Sequence, residues 1–210
     1  MDVIYGAEHD LRDNKNAQRI LDVIEGFEPD LVVITPPCGP WCAWQRMRTD
    51  FEALDELRRQ HLPFWRLARK VWDKQTKGGR LALTEQPEQS EALETSYMAG
   101  REEVYRVVLD QCEFGLRDPV SHKLYKKATA LDVNEEQFAK ELARVNRCTH
   151  QPEQHEQIRG SVFWKGKWRR RSTLAAAWTP RLADHILEAA EKSWWGRNGW
   201  PFPWNQRRES

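Results

Sequence analysis

The chain lacks long apolar runs, has few cysteines and carries almost no net charge, and each shortage narrows what it can be. No stretch approaches the roughly 20 apolar residues of a membrane-spanning helix, and no signal peptide opens the chain. No membrane partner is expected, and an intracellular location, nuclear or cytoplasmic, is. Four cysteines, at 38, 42, 112 and 148, do not make the disulfide framework of a small secreted domain. Lys and Arg total 33 against 32 Asp and Glu, so the net charge is +1 and the global field selects no partner. Internal repeats and low-complexity tracts are absent too.

The distribution of residues says more than their totals. Asp50 to Glu56 is acid-rich, whereas Lys165, Lys167, Arg169, Arg170 and Arg171 form a basic cluster. Eleven tryptophans are the compositional oddity; most are expected in the core, and a minority as stacking platforms for bases. At 210 residues the chain can fill one sizeable core. Strand-like and helix-like segments alternate, which predicts an α/β fold. Helices are expected at Asn14 to Glu25, Phe51 to Thr76 (kinked or divided at Pro63), Ser90 to Leu109, Asn134 to Val145 with Asn134 as N-cap, and from Pro180. Strands are expected at Val3 to Tyr5, Leu31 to Ile34, Arg80 to Thr84, Gln111 to Phe114 and Tyr125 to Asp132.

Two strand ends carry the candidate chemistry. Leu31-Val32-Val33-Ile34 runs into Thr35-Pro36-Pro37-Cys38, where the prolines end the ladder and hold the cysteine on a stiff turn. Leu81-Ala82-Leu83 runs into Thr84-Glu85-Gln86-Pro87. If these strands are parallel neighbours joined by the intervening helix, Cys38 and Glu85 emerge at the same sheet edge. A thiol beside a carboxyl suits nucleophilic attack coupled to proton donation or substrate orientation.

Both loops resemble the catalytic loops of cytosine-5 DNA methyltransferases, most nearly the divergent domains in retroelement polyproteins of dinoflagellates and other algae. Asp110 to Leu116, Lys126 to Thr129, His155 to Gly160 and Ala175 to Pro180 have near counterparts in those domains, so the similarity runs from about Glu8 to Ile186. The resemblance implies that Cys38 adds to carbon 6 of a flipped cytosine while Glu85 holds the ring nitrogen and exocyclic amine. It implies S-adenosylmethionine as methyl donor, with Asp10 and Pro36 nearest the cofactor, and a nucleic acid, DNA first, as partner. Lys126 and Lys127 are the basic candidates for orienting the loop or contacting phosphate. The expected fold is one α/β domain over residues 1–192 with a mainly parallel, Rossmann-like sheet and helices on both faces, followed by a Trp-rich basic tail over 193–210. The family's glycine-rich cofactor turn has no counterpart, since Gly6 is the only glycine before Gly26. A second polypeptide supplying the missing cofactor half is therefore one expectation. A catalytically silent nucleic-acid-binding module of a mobile element is the rival.

Three other constellations remain. Cys148, His150 and His155 lie close in sequence, but the spacing is not a standard zinc finger and Cys112 shows no paired ligand, so solvated loop histidines and no metal are expected. Cys38 and Cys42 are one residue too far apart for a Cys-x-x-Cys redox pair. Phe163-Trp164-Lys165-Gly166-Lys167-Trp168-Arg169-Arg170-Arg171 interleaves rings with cations, as either a nucleic-acid grip or an exposed hairpin.

Overall fold

The computed structural model describes residues 9–47, 49–95, 98–145 and 147–198, the side chains of 195–198 excepted. The expected strand Val3 to Tyr5 and the aromatic run Trp200 to Trp204 lie outside the described residues. The fold is α/β, and its contacts divide the chain into two compact units. The first comprises residues 1–105 with 132–135, and the second residues 106–131 with 136–210.

In the first unit, helix α1 (Asn14–Phe27) starts where the Asp13 side chain accepts from the Lys15 N–H at 2.7 Å. It ends at Glu28 in the left-handed region, with φ 45°. Strand β1 (Leu31–Ile34) follows, then helix α2 (Phe51–Lys77), capped by the Asp50 carboxylate on the Ala53 N–H. Pro63 does not divide α2: the helix is continuous through it. A proline inside a helix removes one hydrogen bond. Burial of Trp65, Leu67, Ala68, Val71 and Trp72 just beyond it supplies packing that offsets the loss. One face of α2 meets Leu21 and Ile24 of α1, and Val32 and Ile34 of β1 join that cluster.

Strand β2 (Leu81–Pro87) runs parallel to β1, with Leu31 opposite Leu81 and Ile34 opposite Thr84. Buried Gln75 of α2 ties the two strand starts together: its Nε2 donates to Pro29 O at 2.9 Å and to Leu81 O at 3.0 Å. On its other flank β2 meets the last residues of β4 (Ala128–Val133). Asn134, expected as a helix cap, is instead a buried bridge. Its Oδ1 accepts from the Ala82 N–H at 2.7 Å, and its Nδ2 donates to Arg80 O at 2.8 Å. Helix α3 (Glu136–Leu142) starts beyond it.

Ser90 to Leu109 is not helical. A short 3-10 turn spans Glu91–Glu94, and β3 occupies Tyr105–Asp110. Gly100 and Glu103 both have positive φ, which ends helical propagation, and the Val107-Val108 pair favours the extended chain. Gln111 to Phe114, expected as a strand, is a 3-10 turn closed by Gly115 at φ 78°. In the second unit the first residues of β4 lie beside β3. Hairpin β5 (Ser161–Trp164) and β6 (Lys167–Arg170) is antiparallel, and α4 (Arg171–Leu174) follows directly. Helix α5 (Pro180–Asn198) packs on α3 and buries Leu182, Ile186, Ala189 and Ala190. Because α5 runs to Asn198, the expected tail boundary at 193 falls inside a helix.

Gln75 has a measurable consequence. Gln75→Leu keeps the volume and leaves the Pro29 and Leu81 carbonyls without that donor, so it should cost about 1–3 kcal/mol in urea denaturation. A stability equal to the parent chain would remove Gln75 as the register pin.

Candidate functional site

The parallel pairing of β1 and β2 sets Thr35 and Glu85 just past the pair Ile34 and Thr84, at the carboxyl ends of the two strands. Cys38 lies three residues beyond Thr35, half-buried and not in a disulfide. It opens a 3-10 turn over Gly39–Trp41, and its carbonyl accepts from the Trp41 N–H at 2.9 Å. Glu85 is still within β2 and is 9% exposed. Alternation along β2 puts Leu81, Leu83 and Glu85 on one face, and Ala82, Thr84 and Gln86 on the other.

The two loops are stitched by residues that sequence reasoning passed over. Gln86 Nε2 donates to Pro36 O at 2.7 Å, and Ser90 Oγ donates to Gln86 Oε1 at 3.0 Å, orienting the amide. Beyond Cys38, Arg58 Nε donates to Pro40 O at 3.1 Å and Arg58 Nη2 meets Glu91 at 2.7 Å. Arg46 reaches the other Glu91 oxygen at 3.0 Å. The Arg46 hydrogen bond outweighs partial burial and, with Arg58, holds the Glu91 carboxyl below the usual carboxylate range. The segment after the cysteine is thus fixed by T-shaped packing of Trp41 on Trp65 and by an Arg–Glu–Arg clamp. Gln86 stands beside a candidate glutamate in the sequence, which is the one signal that could have marked it.

A cavity of about 590 Å³ adjoins Pro36. Its walls include Val32, Ile34, Leu67 and Val71, and its polar groups come from His9, Arg12, Thr35 and His61. Among the described residues, no carboxylate side chain joins that lining. Asp10, the expected cofactor residue, is taken up by Arg12, which reaches both its oxygens at 2.7–3.1 Å. The Arg12 hydrogen bonds hold the Asp10 carboxyl below its usual value. The volume suits a small ligand. Against S-adenosylmethionine, the described lining offers Arg12 for the α-carboxylate and no carboxylate for the ribose hydroxyls.

The basic candidates separate into three groups. Lys126 is exposed and Lys127 half-buried, on the approach to β4, with Lys126 near the Asp110 carboxylate. Lys165, Lys167, Arg169 and Arg170 belong to the hairpin, whose two-residue Lys165-Gly166 turn has positive φ at both positions. Phe163 and Trp168 pair across its strands with ring centroids 5.8 Å apart, both more than half exposed. Lys165 and Arg169 lie over the Trp164 ring at 4.5 and 5.5 Å. Arg171 is placed differently: its Nε donates to buried Asp118 at 2.8 Å, so it serves the fold.

A fourth cluster brings together the half-buried loop histidines and two cysteines. The 3-10 turn after β3 carries buried Cys112 to the loop bearing Cys148, His150 and His155, and one ligand atom from each lies within 4.8 Å of all the others. Cys148 Sγ is 3.5 Å from His150 Nδ1 and 3.3 Å from His155 Nε2. Burial, then the neighbouring Cys148, pushes the Cys112 thiol well up from its ordinary value. The separation of 112 from 148 in sequence hid this convergence.

No family model, curated protein or solved structure matches this chain.

Asp118 gives a pH prediction. Burial raises its pKa, but bonds from the Tyr125 hydroxyl, the Ser121 and Val120 N–H groups and Arg171 outweigh that and hold it far below the ordinary carboxylate range. A depressed carboxylate contributes stability that is present above its unfolded pKa near ~4 and is lost as pH falls through the folded value. Thermal denaturation from pH 6 down to pH 2 should therefore show a steeper acid loss for the parent chain than for Asp118→Asn. Parallel curves would exclude Asp118 as the acid-sensitive group.

Proposed function

We propose that the first unit is a divergent cytosine-5 DNA methyltransferase-like, Rossmann-like domain that acts on a nucleic-acid base through Cys38 and Glu85. The observation that carries this reading is the parallel β1–β2 pair, whose carboxyl ends bear the Pro-Pro-Cys and Glu-Gln-Pro loops and are joined by the Gln86–Pro36 hydrogen bond. Cytosine carbon 5 is a poor nucleophile until a thiolate adds at carbon 6. The Cys38 sulfur forms the bond to carbon 6, and the electron pair of the 5,6 double bond moves into an enamine. Glu85, bonded at the ring nitrogen and exocyclic amine, stabilises the charge that develops there. Carbon 5 then takes a proton from water. Loss of the original carbon-5 proton and expulsion of the thiolate restore cytosine with that hydrogen exchanged.

This exchange needs no methyl donor, and so it isolates the two residues from the cofactor question. The cavity at Pro36 does not provide the carboxylate that S-adenosylmethionine requires. Methyl transfer would need one from elsewhere, such as the second polypeptide that the resemblance implies. Single-stranded DNA tritiated at cytosine carbon 5 should release tritium to water in the presence of the chain. Cys38→Ser should abolish release, and Glu85→Gln should lower it about 10²-fold or more, as loss of one charge-stabilising group does elsewhere. DNA that binds but releases no tritium above the Cys38→Ser background would favour the silent binding module.

The hairpin in the second unit supports a nucleic-acid partner by itself. Two exposed rings can stack on bases while Lys165, Lys167, Arg169 and Arg170 meet phosphates. Replacing those four with Gln, and leaving Arg171 on Asp118, should weaken DNA binding. It should also flatten the plot of log affinity against log salt by roughly 0.7–0.9 for each phosphate that is no longer neutralised. An unchanged slope would remove the hairpin from the interface.

A further inference from the structure

We propose that Cys112, Cys148, His150 and His155 bind one zinc ion as a closed structural site in the second unit. This assignment is independent of the base chemistry proposed for Cys38 and Glu85, which lie in the first unit.

The donor set and its geometry carry the assignment. Two sulfurs and two imidazole nitrogens are the tetrahedral set that zinc takes in structural sites. Zn–S and Zn–N bonds of about 2.3 and 2.0–2.1 Å at tetrahedral angles put a sulfur and a nitrogen roughly 3.5 Å apart. Here Cys148 Sγ stands 3.5 Å from His150 Nδ1 and 3.3 Å from His155 Nε2. All four donor atoms fall within 4.8 Å of one another, so a single ion can reach each of them with little movement. The two imidazole rings have centroids 5.7 Å apart and planes almost perpendicular, so they do not stack face to face.

The backbone around these donors is built to hold them. Cys112 sits in the 3-10 turn Gln111–Phe114 and is 2% exposed. The Cys148 N–H donates to Asp110 Oδ2 at 2.9 Å, and Arg147 Nε donates to that same oxygen at 2.8 Å. A short 3-10 turn over Pro152–Gln154, closed by the reciprocal Gln151–Gln154 pair, delivers His155. On either side of His155, Gln154 O accepts from the Leu124 N–H and the Glu156 N–H donates to Leu124 O. Glu113 Oε1 lies 3.1 Å from His150 Nδ1 and accepts from the Thr149 N–H, adding a carboxylate at the rim. His150 Nδ1 faces both Glu113 and Cys148, and zinc on that nitrogen would displace its contact with Glu113.

Binding requires both thiols to give up their protons to solvent, and the dication with two thiolates is then neutral. Four protein donors fill the tetrahedron and leave no open position for a substrate, which makes the ion a staple rather than a catalyst. It would fasten the loop over residues 148–155 to the turn that follows β3.

The test uses the full chain purified without chelator. Elemental analysis should find about one zinc per chain, and Cys112→Ser/Cys148→Ser should lower it at least tenfold. Since that variant can misfold, cobalt titration of the chelator-treated parent chain reads the geometry directly. One equivalent should produce intense visible bands and thiolate-to-cobalt charge transfer, the signature of tetrahedral S₂N₂ coordination. His155→Asn keeps both thiols and should weaken zinc at least tenfold while circular dichroism stays unchanged. A folded parent chain without stoichiometric zinc that gives only weak octahedral cobalt absorption would overturn the site. So would recovery of Cys112 and Cys148 as a disulfide in the purified protein.

Discussion

The parallel register between β1 and β2 is the constraint on which the proposed active site depends. A ladder has period two, so a slip of one residue would send every side chain on β2 to the opposite face. Glu85 would exchange places with Gln86, and the Gln86 amide would no longer meet Pro36 O. Three buried polar contacts guard against that slip. Gln75 reads the two strand starts through Pro29 O and Leu81 O, Asn134 reads the Ala82 N–H and Arg80 O, and Gln86 reads the far end. Each would cost more to leave unmade than it contributes when made, so together they act on specificity more than on gross stability.

Much of this was legible in the sequence where local and tertiary preferences agree. Leu31 to Ile34 is a β-branched run bounded by prolines, and it forms the expected strand to the residue. Helices open at Asn14 and Phe51 as expected, and Pro180 opens α5. The failures have identifiable physics. Ser90 to Leu109 has enough apolar spacing to suggest a helix, but the positive φ values at Gly100 and Glu103 are tertiary facts that no periodicity reveals. Asn134 has the chemistry of a cap and uses it on a strand. Arg171 reads as one more cation in a basic run, yet it is the one directed at a buried carboxylate.

The hairpin shows how one short sequence serves two environments. Pairing of Phe163 with Trp168 and of Trp164 with Lys167 alternates the rings across the two faces. One face presents an edge-to-face aromatic pair to solvent. The other places Trp164 beneath Lys165 and Arg169, where the ring quadrupole attracts both cations. Lys165 and Arg169 are thereby held against Trp164, on the face opposite the exposed ring pair.

The two units achieve order by different means. The first has a 27-residue helix that buries Trp65, Leu67, Ala68, Val71 and Trp72, which is enough apolar area to organise short strands around it. The second sets the 19-residue α5, which buries Leu182, Ile186, Ala189 and Ala190, among small pieces: a seven-residue helix, a four-residue helix and an isolated two-stranded hairpin, a motif only marginally stable alone in water. Its connecting loops are held by specific polar pins instead. Asp118 collects Tyr125, two backbone N–H groups and Arg171, which fastens the end of the hairpin to the segment over residues 116–125. Asp110 collects Arg147 and the Cys148 N–H, which brings the first of three loop donors to Cys112. A buried carboxylate holding several donors is costly to desolvate, and it persists where apolar burial alone cannot fix a loop. A zinc ion extends the same logic, because one dication can restrain four side chains from two segments distant in sequence.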